Sequence, residues 1–257
     1  MKHIESTASG GVRRITLNRP EVLNAINHAM HYELESAFDA FAAAEDEQVC
    51  VVTGAGRAFC AGSDLKAAIT EGRQPYPPHG YAGLIERFDC QKPIIAAVNG
   101  LALGGGFELA LACDLIIAAE SASFGLPEPL VGAVALGGGL HRLARMVPAK
   151  QAMGMILASR RVGAGEGYAL GFVTEVVPDT QLDAAIDRWC ADILRASPVS
   201  IRASKELVAA GLAEPDIAAA MRMQSAHPAF QAWAASDDAR EGPRAFAEKR
   251  APQWNGK

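Results

Sequence analysis

The stretch GLALGGGFELALACD, Gly100 to Asp114, sets one carboxylate, Glu108, just beyond three consecutive glycines and inside an otherwise apolar run. Glycines at such a point let the backbone adopt conformations closed to other residues and leave amide N–H groups uncovered by side chains. At a helix start those amides also feel the positive end of the macrodipole, which favours negative charge and suits an oxyanion. On these residues alone two readings stand level: an anion-binding turn, or glycines that permit close packing beside a Glu108 that complements its own helix end. A second loop, GRAFCAGSDLK, again follows a buried strand and again sets a glycine, Gly62, before a predicted helix start, with Asp64 as its cap. Two such loops can aim two main-chain donors at one point, the requirement of an oxyanion hole. Glu128, between Pro127 and Pro129, reads by itself as a loop carboxylate.

Several other chemistries find no support. Gly54-x-Gly56 has Phe59 where the dinucleotide fingerprint needs its third glycine, and neither a phosphate-binding G-x-x-x-x-G-K-[ST] loop nor a G-x-S-x-G nucleophile elbow occurs. His28 and His31 lack the H-E-x-x-H pattern and are read as surface histidines, so no metal is assigned. The 24 basic and 29 acidic residues leave a net charge of -5, which speaks against nucleic-acid binding through bulk charge. Five scattered cysteines without a C-x-x-C pair read as reduced core thiols, and no segment has the apolar length of a membrane helix or a leader, so a cytoplasmic protein is expected.

The elements that must position these groups read as α/β. HIESTASGGVRRITLN is a hairpin about Gly10-Gly11; Met30, Leu34, Phe38 and Phe41 mark a helix ending near Asp46. VCVVTG, PIIAAVNG, DLIIAAE and VTEVVP are strands of parallel βα units, GAGRAFCAGSD is a loop, and Thr70 to Gly80 is another. Leu182, Ile186, Trp189 and Ile193 begin a helical C-terminal part, giving a core over 1–195 and a helical region over 196–257.

LNRPEVLNAI, GRAFCAGSDLK, KPIIAAVNGLALGGGFELALACD, FGLPE and SDDAREGPRAFAEKRAPQW, in this order along nearly the whole chain, resemble the enoyl-CoA hydratase/isomerase (crotonase) family. The resemblance implies a ClpP-like spiral of β-turn-β-α units, with a C-terminal helical region that assembles a homotrimer or a dimer of trimers. It implies an acyl-CoA thioester as substrate, so that CoA arrives with the substrate and no separate cofactor is needed. By position, the oxyanion-hole amides fall on Ser63 and Gly105, and the acid–base carboxylates of the hydratases on Glu108 and Glu128. CoA contacts fall on Ala61, Ser63, Asp64, Leu65, Lys66 and Gly105, with Phe246 and Lys249 reaching the coenzyme of a neighbouring subunit. Glu21 stands where some hydratases carry a lysine beside the CoA phosphates.

The activity so implied is reversible hydration of a 2-enoyl-CoA to a 3-hydroxyacyl-CoA through an enolate. Alternatives are double-bond isomerisation, dehydration of an unusual hydroxyacyl-CoA such as carnitinyl-CoA, a retro-aldol step, and a non-catalytic or RNA-binding protein on the same fold. The pattern departs from the ordinary hydratases at ALGGGLHRL, where Leu136 replaces a glycine and His141 a glutamine; His141 is read as a packing or supporting residue. Tyr76 and Tyr81, in TEGRQPYPPHGYAG, are read as covering the acyl pocket rather than reaching into it.

Overall fold

A computed structural model describes residues 1–72 and 74–257; Arg73, inside the loop expected from Thr70 to Gly80, lies outside the described residues. Strands are, in chain order, β1 (Ile4–Ser9), β2 (Val12–Leu17), β3 (Val49–Gly54), β4 (Ala58–Cys60), β5 (Ile94–Val98), β6 (Leu101–Leu103), β7 (Leu115–Ala119), β8 (Ser123–Gly125), β9 (Val162–Gly163) and β10 (Glu175–Val177). They form a six-stranded sheet, β1-β2-β3-β5-β7-β10, and a four-stranded sheet, β4-β6-β8-β9. In the larger sheet only the β1–β2 hairpin is antiparallel, turned by Gly10 and Gly11 at φ of 59° and 84°. Those two positive φ values require the glycines.

The long strands match the expected ones because a run such as VCVVTG is buried on both faces, as a central parallel strand must be. The smaller sheet differs from expectation. Its strands are two or three residues long, and β4 lies within GAGRAFCAGSD, which reads as loop because so short a strand shows no periodicity. Helix α1 (His28–Ala43) starts at Asn27, whose side chain accepts from the Met30 N–H at 3.0 Å, and it stops three residues before the expected Asp46. Its buried face carries Met30, Leu34, Phe38 and Phe41, but also His31, which is 5% exposed and so not the surface residue expected.

Chain contacts divide the molecule into two units: Met1–Asp89 with Ile94–Trp189, and Cys90–Pro93 with Cys190–Lys257. The second is helical, comprising Pro198–Ala213, Ile217–Met223, Pro228–Ala235 and Asp237–Ala247. Within it the buried Asp238 carboxylate accepts from Ser197 Oγ at 2.8 Å and from the Asn255 N–H at 3.0 Å, tying the tail to the helices. The five cysteines are buried. Among the described residues no helix is long and apolar enough to cross a membrane.

Asn24 joins β3 and β4 to the segment preceding α1. Fully buried, it accepts from the Arg19 N–H at 2.9 Å and donates to the carbonyls of Ala55 at 2.9 Å and Ala58 at 2.8 Å. It also sits at φ 56°, a left-handed conformation that Asn tolerates better than most residues. Asn24→Ala would strand three polar groups, one of them fully buried, so it is expected to lower stability by about 1–3 kcal/mol, read from the urea-unfolding midpoint.

Candidate active site

The first of the two glycine turns is held by the segment before α1. The Ile26 N–H donates to the Gly62 carbonyl at 2.8 Å, and the Asp64 N–H donates to the Ile26 carbonyl at 2.9 Å. Ser63, between them, faces Ile26 in an isolated parallel bridge. Asp64 caps helix α2 (Leu65–Glu71), accepting from the Ala67 N–H at 3.1 Å, and pairs with Arg19 at 2.9 Å. Gly62 has φ 94°, and a Cβ there would meet the Leu103 carbonyl at 2.8 Å and the Gly105 nitrogen at 3.2 Å. The two turns therefore touch, and a glycine is what lets them.

The second turn leads from β6 into helix α3 (Gly105–Ala112). The Gly104 N–H donates to the Gly125 carbonyl at 2.9 Å, and the Gly104 carbonyl accepts from the Glu108 N–H at 3.0 Å. Among the described residues, the N–H groups of Ser63 and Gly105 have no hydrogen-bond acceptor. These are the two groups named from the sequence.

Both turns open onto a cavity of about 610 Å³ lined by Ala61, Ser63, Leu65, Gly105, Glu108 and Glu128 among others. Glu108 is 4% exposed, and its Oε1 accepts from the Gly139 N–H at 2.9 Å. A Cβ on Gly137 would come within 2.5 Å of Glu108 Oε2, so this second glycine run is shaped around the carboxylate. Burial pushes the Glu108 pKa up to about 7, with the charge of Glu128 adding to it and the Gly139 and Gly137 N–H groups and Arg142 opposing. Burial also raises the Glu128 pKa. Glu128 Oε2 is buried without a hydrogen-bond partner among the described residues, while its Oε1 lies 2.9 Å from where a Cβ on Gly104 would be.

Tyr81 reaches the cavity instead of covering it. It is 4% exposed, and a Cβ on Gly105 would strike its ring and hydroxyl at 2.3 Å. Tyr76 lines the cavity too, stacked edge-on against Tyr81 with ring centroids 5.6 Å apart. His31 completes the group, 4.5 Å from the Tyr81 ring, and its Nδ1 accepts from the Ala82 N–H at 2.9 Å. Burial lowers its pKa to about 4, which keeps it neutral. No sequence pattern signals this cluster, which draws on a segment rich in proline and glycine where Ala82 takes φ 55°.

Sequence reading also missed Arg142 and Glu86. Arg142 lies on helix α4 (Gly139–Met146) and donates to the Ile85 carbonyl at 2.8 Å, while Glu86 lines the cavity. Leu136 lines it as well, yet is 76% exposed, and His141 is exposed rather than packed. Lys66 is exposed at the head of α2, and Asp64 is not part of the lining. Phe246 and Lys249 belong to the helical unit, where Phe246 is 86% exposed. Glu35, Asp39 and His79 lie within metal-ligand reach of one another, but the Arg87 guanidinium already pairs with both carboxylates, at 2.8 Å from Asp39 and 3.6 Å from Glu35.

A sequence model of the enoyl-CoA hydratase/isomerase family matches residues 7–257. The chain belongs to that family. Among its family relatives, the carnitinyl-CoA dehydratase of Salmonella typhi is 41% identical across 98% of this chain and 97% of its own. A solved enoyl-CoA hydratase from Mycobacterium tuberculosis H37Rv superposes with a TM-score of 0.92 at 34% identity, and one from Mycobacterium marinum with 0.93 at 36%, each covering 100% of both chains. The α/β architecture is thus the crotonase fold that the sequence resemblance implied.

The raised Glu108 pKa makes stability depend on pH. The unfolded chain ionises this group near 4.5 and the folded chain near 7, so folding loses stability as pH rises through that window. Glu108→Gln is expected to be more stable than the parent by about 3 kcal/mol near pH 8, with the difference closing towards pH 4, in denaturant titrations across that range.

Proposed function

We propose that the chain catalyses the reversible addition of water to a 2-enoyl-CoA, giving a 3-hydroxyacyl-CoA. The thioester oxygen would lie between the Ser63 and Gly105 amides. Water adds at C3 as one carboxylate takes its proton; the double-bond electrons move onto the thioester oxygen, and the enolate collapses as the other carboxyl group protonates C2. Dehydration is the same path reversed. Each amide donor contributes roughly 2.7–4 kcal/mol to the charged state, and each proton transfer about 10²–10⁴-fold in rate.

The observation that carries this reading is the pairing, in one cavity, of two unengaged amides with two carboxyl groups of raised pKa. The partnerless Glu128 Oε2 suits a group that must hold water. Two carboxyl groups favour water chemistry over isomerisation, which needs one. Glu128→Gln is expected to abolish hydration, followed as loss of the conjugated thioester absorbance over a panel of enoyl-CoAs, while leaving acyl-CoA binding within a few-fold. Unchanged turnover in that variant would remove Glu128 from the chemistry.

A second reading concerns the acyl group. Among the described residues lining the cavity none is Lys or Arg, whereas Glu86 joins the two reacting carboxyl groups there and Tyr76 and Tyr81 present aromatic rings. Carboxylate and ring faces together suit a quaternary ammonium, as in the substrate that the Salmonella relative's name describes. A trimethylammonium-bearing enoyl-CoA should then exceed its neutral isostere, with quaternary carbon in place of nitrogen, by at least tenfold in kcat/KM. Equal turnover of the two would leave the uncharged 2-enoyl-CoAs as the substrates.

A further inference from the structure

The chemistry above uses the Ser63 amide and leaves its hydroxyl idle. That hydroxyl lies 3.2 Å from the Tyr81 hydroxyl, and donates to it. Two hydroxyls carry two protons, and one hydrogen bond between them consumes only one. The remaining proton needs an acceptor, and the N–H groups of Ser63 and Gly105, being donors, cannot supply one. Tyr81 is fixed in place: its ring lies across the Cα of Gly105, flanked by His31 and Tyr76, and it forms part of the cavity wall. Behind it, His79 pairs with Glu35 at 2.6 Å, and the Arg87 guanidinium Nε donates to the Gly83 carbonyl at 3.0 Å, anchoring the segment on both sides of the phenol.

We propose that the Tyr81 hydroxyl, oriented by Ser63 Oγ, is a third hydrogen-bond donor to the thioester oxygen beside the two amides. This rests on the acyl-CoA reading of the site and adds a catalytic residue to it. A buried phenol is a strong donor only while it keeps its proton, and burial holds the Tyr81 pKa well above its ordinary value. It thus stays a donor over the whole range in which the carboxyl pair works. Low local dielectric makes such a donor worth more than the same contact in water. Ser63 then acts twice: its N–H as a donor in its own right, its Oγ as the group that turns the phenol.

The test compares wild type, Tyr81→Phe and Ser63→Ala by steady-state kinetics with an enoyl-CoA and by the carbonyl stretching frequency of bound butanoyl-CoA, which cannot react. Tyr81→Phe keeps the ring against Gly105 and should lower kcat about 10²-fold with KM changed only a few-fold, the carbonyl band moving towards its value in water. Ser63→Ala should shift band and kcat in the same direction by less, since the phenol remains but loses its orientation. A Tyr81→Phe enzyme with unchanged kcat and unchanged band would overturn the proposal. Should Tyr81→Phe not fold, an unmoved band in Ser63→Ala, a residue open to the cavity, would overturn it instead. If the wild-type protein binds butanoyl-CoA but hydrates no enoyl-CoA, the hydration reading fails and the band comparison still decides the role of Tyr81.

Discussion

The contact between the two glycine turns governs the site. Gly62 approaches the Leu103 carbonyl and the Gly105 nitrogen so closely that no side chain fits between them, and its φ of 94° suits glycine. That approach brings a main-chain N–H from each of two sequence-distant loops to one cavity wall, neither with an acceptor among the described residues. Donors fixed this way need no reorganisation as charge develops on a ligand, which is the physical basis of oxyanion stabilisation. The rest of the unit serves that contact: the Ile26 bridge sets the height of the first turn, and the Gly104–Gly125 hydrogen bond sets the second.

A second constraint is electrostatic. Glu108 and Glu128 share a cavity, and each finds charge costly there, because burial penalises both carboxylates and the charge of Glu128 adds to the cost at Glu108. The proposed chemistry needs such a pair to divide its duties, one group keeping a proton while its neighbour takes one. The Gly137 to Gly139 run limits how far the Glu108 pKa rises by supplying N–H donors to the carboxylate. Glycines thus shape both halves of the site, holding two N–H groups open to the cavity in one place and donating to the Glu108 carboxylate in another.

The parts of this design legible in the sequence were those tied to contiguous residues. The strands VCVVTG and PIIAAVNG declare themselves by continuous apolar runs, and the turns at Gly62 and Gly104 to Gly106 by glycines set between such runs and a helix start. The strands of the four-stranded sheet are too short for periodicity, so β4 hides inside what reads as loop. Tyr81, His31 and Arg142 escaped for another reason: each acts through a neighbour remote in sequence, Gly105, Ala82 and Ile85 respectively. Helical spacing puts His31 on α1 but says nothing of the segment fifty residues later that covers it. Leu136 is the opposite case, since its departure from the family pattern is plain in the sequence, while the structure shows an exposed side chain at the cavity edge.

The central claim is that a thioester oxygen is held by two amides from two different loops. It is tested most directly by the structure of the protein with a non-hydrating acyl-CoA bound. The account predicts that oxygen within about 2.7–3.1 Å of both the Ser63 and the Gly105 nitrogen. A thioester oxygen turned to solvent, or bonded to only one of the two, would contradict it.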